Sequence, residues 1–197
     1  MTGKTHVAIG ITAALAMSSN QPVENQLVLV LVSAISSLIP DLDHPKGKLN
    51  QKILLVNNNF HRILFYLSLG CVFTYFYYSM EIKVLLYLGI ISFLIGISRH
   101  RGFTHSIVGF LISMSIVKLC TVKYELDYIH TGFAIGYGFH IIADLFTTKG
   151  VQLFYPLKNN ISFPIKIRTS SKVEDIIFTL LGISSVCLLF GKYLYIV

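Results

Sequence analysis

Apolar runs recur along the whole chain, at about 5–19, 27–39, 62–79, 84–98, 106–120, 129–146 and 176–196, with most of the charge confined to the stretches between them. A domain in water covers its surface with polar groups, and this chain has few. Apolar residues make up 54% and charged residues 13%, about half the ~25% charged content of soluble domains. Lipid is therefore the better solvent. The expected fold class is all-α: a multipass transmembrane helical bundle of about five to seven membrane helices. Alternation of period two never runs far enough for a barrel. The chain, 1–197, reads as a single integral membrane domain.

Several runs are short. As a helix, 62–79 reaches about 27 Å, whereas each of the two runs before Asp41 reaches only about 20–22 Å. Short helices are tolerated where helix ends line a polar cavity or the membrane thins. The first two also suit a helical pair that dips in without crossing. The opening "MTGKTHVAIGITAALAMSS" has the small residues of a signal peptide but a weakly basic start, so a retained first helix is expected. The polar stretch 147–175, with Pro156, Pro164 and "LFYP", reads as a loop serving as a lid or interfacial arm.

A net charge of +7 raises nucleic acid as a partner. The basic residues are scattered over inter-helix stretches rather than gathered on one element, so a topological role is expected and no nucleic-acid partner. In a seven-helix alternation Lys83, Lys118, Lys123 and Lys192 fall on one side and the rest of the 16 lysines and arginines on the other. The basic side is expected in the cytoplasm. Cys71, Cys120 and Cys187 lie in apolar runs without C-x-x-C spacing and read as free thiols.

The polar chemistry gathers on that same side. "PDLDHP" at 40–45 ends an apolar run with Asp41, Asp43 and His44 between two prolines. Proline breaks the helix there, and in the resulting turn the three side chains can point inward together. A plain helix-ending loop is the alternative. It leaves unexplained why acids sit at a helix C-terminus, where the macrodipole disfavours them. "HIIAD" at 140–144 sets His140 and Asp144 at i,i+4 on one helix face, suiting one metal or an Asp that orients the His ring. A hydrogen-bonded pair in a packed bundle is the plainer reading. In "RHRGFTHS" at 99–106, Gly102 permits a sharp turn and Thr104 can cap the next helix. Arg99 and Arg101 can each grip a phosphate bidentately, or simply form a topogenic loop. His6 joins the set because it sits at the same end. His61 is weaker, and His130, at the other end, reads as structural.

Taken together, "TGKTH", "PDLDHP", "RHRGFTHS" and "HIIADLFTTKGVQLFYPL" resemble the YdjM-like family of bacterial inner-membrane proteins over residues 2 to 157. That family is described as membrane-bound metal-dependent hydrolases, some controlled by the DNA-damage response. The resemblance implies a metal set of His6, Asp41, Asp43, His44, His105, His140 and Asp144. The helical His-x-x-x-Asp is more distantly similar to zinc-dependent phospholipase C, whose N-terminal tryptophan ligand has no counterpart in a chain without tryptophan.

Imidazole with carboxylate suits one or two divalent ions, zinc first, then manganese or iron. The expected activity is hydrolysis of a phosphoester in a lipid or lipid-linked substrate, with membrane lipid as both solvent and substrate. Arg99 and Arg101 would hold phosphate while His100 or Asp43 moves protons. The rivals are a divalent-cation transporter, which needs mid-membrane ligands, a scaffold whose metal only locks helices, and a membrane anchor for nucleic acid.

Overall fold

In a computed structural model that describes residues 1–194, the seven apolar runs are helices. They are α1 (Gly3–Met17), α2 (Val23–Ser36), α4 (Asn59–Met80), α5 (Lys83–Ile97), α6 (Ile107–Thr121), α7 (Asp127–Leu145) and α8 (Lys172–Leu194). The last two positions of the expected final run lie outside the described residues. A six-residue helix, α3 (Lys48–Ile53), and three 3-10 turns, Pro40–Asp43, Phe103–His105 and Val122–Tyr124, fill connections. Among the described residues there is no strand, only the isolated bridges Thr147–Ile167 and Val151–Ile161.

Among the described residues, three helices are long and apolar enough to cross a membrane: Val23–Asp43, taken through its 3-10 turn, Asn59–Met80 and Lys172–Gly191. Lys83–Ile97 and Ile107–Thr121 are apolar but shorter, reaching about 22 Å each. Apolar side chains stand exposed along these helices, among them Leu64, Tyr75, Leu111, Ile176, Leu180 and Ile183, a surface suited to acyl chains.

The centre of the bundle is α1, α2 and α7, with α6 against α7 and α8 against α1. Ala14, Leu29 and Ile135 form one apolar cluster, and Phe133, Tyr137, Ile141, Leu145 and Val151 a second. Small residues bring the backbones together, as lipid-embedded helices require when no hydrophobic effect drives their contact. A Cβ on Gly136 would stand 2.1 Å from both Ser33 O and Ser36 Oγ. Ser33 Oγ donates to Gly10 O at 2.9 Å, tying α2 to α1.

α4 and α5 form a hairpin to one side, meeting the rest through the Pro40–Asp43 turn and α6. One buried polar contact closes the hairpin and a second moors it. Arg62 donates to Ile95 O at 2.7 Å and Ser98 O at 2.9 Å, closing the end of α5. Tyr66 donates to Asn50 Oδ1 at 2.7 Å, and Asn50 Nδ2 donates to Leu42 O and His44 O at 2.8 Å each. The hairpin thereby holds the loop that carries Asp41, Asp43 and His44.

The stretch after α7 packs across one end of the bundle. Ile107 N donates to Leu153 O, Gln152 N to Arg101 O, Phe163 N to Leu145 O and Ile167 N to Phe146 O. Within it Val151 is fully buried, while Phe154, Leu157 and Ile165 stay exposed.

Candidate metal centre

At that end, 3-10 turns after α2 and before α6, the last turns of α7 and the start of α1 bring ligands together. His6 lies in the second turn of α1. Asp41 sits in the 3-10 turn that proline starts after α2. His105 ends the 3-10 turn before α6. His140 and Asp144 share one face near the end of α7. His6, His105, His140 and Asp144 are at most 1% exposed, while the Asp41 side chain keeps 24% and forms the open edge.

The donor atoms are closely spaced. His105 Nε2 and His140 Nε2 are 3.2 Å apart. Asp144 Oδ1 lies 3.2 Å from His6 Nε2, and its Oδ2 lies 3.6 Å from His105 Nε2 and 4.0 Å from His140 Nε2. Asp41 Oδ1 is 3.9 Å from both His105 Nε2 and His140 Nε2. Ligands about 2.1 Å from a shared ion stand roughly 3.0–3.4 Å apart, so small shifts would complete coordination. Two donor groups result, His6–His140–Asp144 and Asp41–His105–His140, and His140 belongs to both.

Neighbours fix which nitrogen each ring offers. His140 Nδ1 lies 2.6 Å from Ser37 O, a carbonyl freed at the end of α2, so it carries the proton and leaves Nε2 as the lone pair. His105 Nδ1 lies 3.3 Å from Asp43 Oδ2, turning its Nε2 into the cluster. His6 is stacked on His140 with ring centroids 3.7 Å apart. Neither of its buried nitrogens makes a hydrogen bond, the 3.2 Å approach to Asp144 being off-angle. An imidazole fully buried with two orphaned nitrogens fits a ligand role, since an unsatisfied buried polar group costs about 1–3 kcal/mol.

Asp43 lies one layer out, belongs to neither donor group, and is saturated by protein. Its Oδ1 accepts from His100 Nδ1 at 2.9 Å, and its Oδ2 accepts from Thr104 Oγ1 at 2.5 Å and Arg101 N at 3.1 Å. Thr104 thus serves Asp43, and Ser106 caps α6 instead, accepting from Gly109 N at 3.0 Å. Burial opposes charge on His105, yet Asp43, then Asp144 and Asp41, hold its pKa above the ordinary imidazole value. His44 also stands apart from the cluster. Its Nδ1 accepts from Lys46 N at 3.2 Å and its ring meets His100 at 4.2 Å. Burial, and then the His100 charge, lower its pKa.

The two arginines differ. Arg101 adopts the left-handed region at φ 64°, where glycine was expected to make the turn. Its guanidinium is committed inward, donating to Thr147 Oγ1 at 2.8 Å and Gly150 O at 2.7 Å and lying 3.4 Å from Asp144 Oδ2. Arg99 is exposed and does not face the cavity that opens over Asp41. That cavity, about 580 Å³, is walled by Asp41, His44, Lys46, His100, Arg101 and Lys149 among others. His61 only closes the Asn58 cap of α4, at 2.9 Å.

Sequence reasoning missed two supports. Asn50 carries no pattern that would single it out. Glu174 had one, the Ser-x-x-Glu spacing of a helix start at Ser171. It is fully buried and accepts from Thr2 N at 2.5 Å and Ser170 N at 2.6 Å, pinning the start of α1 beside the cluster.

The uncharacterized protein YvsG of Bacillus subtilis (strain 168) is 28% identical over 94% of this chain and 92% of its own length. The inner membrane protein YdjM of Escherichia coli (strain K12) is 24% identical over 71% of this chain and 55% of its own, and its Shigella flexneri counterpart matches to the same extent. No solved structure matches. The family model described as YdjM inner membrane protein matches residues 1–195, a span that takes in every donor of the cluster and the segment folded across it. The chain therefore belongs to the YdjM inner membrane protein family.

Proposed function

We propose that this membrane protein is a metal-dependent hydrolase acting on a phosphoester in a lipid or lipid-linked substrate at the cytoplasmic face. One observation carries the reading: five N and O donors from four chain segments converge at one end of the bundle, four of them buried and the fifth, Asp41, lining a cavity there.

Three imidazoles and two carboxylates suit zinc first, with manganese or iron also acceptable. His6, Asp41, His105, His140 and Asp144 would hold one or two such ions, with His140 common to both donor groups. A cation there supplies Lewis acidity toward a phosphoryl oxygen and an attacking water. The protein supplies the rest. His100, about one-third exposed on the cavity wall and hydrogen-bonded through Nδ1 to buried Asp43, is placed to pass a proton at Nε2. Asp43 keeps both His100 and His105 in one orientation. Arg101 braces Asp144 and the 147–150 turn from behind. A mouth at helix ends, with apolar surface around it, suits a substrate that never leaves the bilayer. The same placement disfavours a transporter, which needs its donors near mid-membrane.

The test is phosphate release from phospholipids and polyprenyl phosphates by purified protein, before and after chelation and metal return. Release that chelator stops, metal restores and His100→Ala suppresses without metal loss is the expected result. Activity indifferent to chelator, or none across the panel, counts against the enzyme and leaves a structural metal.

A further inference from the structure

We propose that the cavity over the metal centre is built for a lipid diphosphate, its terminal phosphate at the donor cluster, its inner phosphate among Lys46, Lys149 and Arg168, and its chain in the groove between α1 and α8. The inference rests on the hydrolase reading and narrows its substrate class.

The charge on the cavity wall is lopsided. Asp41 is the one carboxylate among the lining residues and already belongs to the cluster. Lys46, from the loop before α3, and Lys149 and Arg168, from the segment folded across the bundle end, line the same cavity. None of these three forms an ion pair among the described residues, whereas Arg101 beside them is turned to Thr147, Gly150 and Asp144. Two separate chain segments thus bring unpaired cations to one concave wall. A phosphodiester brings one negative charge to meet them, and a diphosphate monoester about three near neutral pH. Asp41 and Asp144 offset a divalent ion at the cluster, so the charge of the substrate is left for the three side chains.

The cavity also continues into apolar surface. A groove of about 470 Å³ between α1 and α8 is lined by Val7, Ala8, Ile11, Leu38 and Phe178, and shares Gly3 and Leu38 with the cavity. Lys4, the one charged group on it, is turned to Asp175 at 2.8 Å and lies 5.0 Å over the Phe178 ring. An anionic cavity-filler joined to an apolar chain matches the two volumes together; a free anion fills only the first.

The reaction balances without a further reagent. Water forms a bond to the terminal phosphorus as the bond to the bridging oxygen breaks. Inorganic phosphate and the lipid monophosphate leave, and the proton released from water departs through His100.

The experiment compares farnesyl diphosphate, farnesyl monophosphate and inorganic pyrophosphate as ligands and substrates of the metal-loaded full chain in neutral-lipid nanodiscs, with metal content measured on each sample. The diphosphate is expected to bind about tenfold or more tightly than either, the equivalent of losing one good ionic contact or the chain. Lys149→Glu with Arg168→Glu should erase the preference over monophosphate while metal content stays unchanged. Equal affinity for mono- and diphosphate overturns the inference and leaves the hydrolase reading standing. Pyrophosphate binding as tightly as the lipid overturns the groove. A sample that holds no metal overturns both readings. The comparison within wild type stands even if the double variant fails to fold.

Discussion

His140 and Ser37 share a 2.6 Å hydrogen bond that joins the end of α2 to the inner face of α7. It spends one ring nitrogen on the fold and leaves the other for the cluster. Because His140 Nε2 belongs to both donor groups, one side chain decides whether either can form. Asp43 does the same for His105 from the opposite side.

Asp43→Asn should therefore weaken metal binding without unfolding the bundle. The amide keeps the shape but loses the charge that fixes the His105 tautomer. A loss of about 10–100-fold in affinity is expected, as for other carboxylates behind metal-bound histidines. Competition against a chromophoric zinc chelator measures it. Unchanged affinity would mean that His105 orients itself.

The mooring of the "PDLDHP" loop can be cut from α4. Tyr66→Phe leaves Asn50 Oδ1 buried without its donor, a cost of about 1–3 kcal/mol. Asn50→Ala also frees the carbonyls of Leu42 and His44. Thermal unfolding in detergent should show Asn50→Ala as the larger loss. Metal affinity should fall with it, since Asp41 rides on that loop.

Close packing of α2 on α7 gives a third test. Gly136→Ala puts a methyl where Ser33 O and Ser36 Oγ stand, so the helices must part, at about 1–3 kcal/mol or more. Gly182→Ala, on α8, has nothing within 4 Å and should be neutral or gain up to about 1 kcal/mol from higher helix propensity. Unfolding midpoints of the two variants should move in opposite directions or differ plainly in size.

Much of this was legible in the sequence because apolar runs and helix breaks are local signals. The seven runs became seven helices, and "PDLDHP", "RHRGFTHS" and "HIIAD" lie at one end of the bundle. What escaped was set by long-range geometry. Asp43 and Asp41 are two residues apart, yet only the turn decides that one faces the cluster and the other backs His105. Arg101 looks like an anion grip until its guanidinium is seen bound to Thr147, Gly150 and Asp144. Asn50, in "KLNQKI", owes its role to partners 6 to 16 residues away.

The pH response should differ in sign between metal-free and loaded protein. In the metal-free fold the carboxylates raise the His105 pKa above 6.5. Its protonated form therefore contributes stability that is full below that value and is lost as pH rises through the raised folded pKa. With metal bound the ring must be deprotonated, so acidification competes with the ion and stability falls instead. Melting curves from about pH 5.5 to 8 with chelator or with excess zinc read both slopes, starting from the ordinary imidazole pKa near 6.5. Parallel slopes would place His105 outside the metal's coordination.

Elemental analysis of the purified protein beside His140→Ala reads the convergence of donors most directly. Wild type should carry at least one tightly held transition-metal ion per chain, and His140→Ala should carry none while keeping its helical content. Wild type free of metal after gentle purification and zinc titration, or His140→Ala retaining the full complement, would contradict a cation held by His6, Asp41, His105, His140 and Asp144.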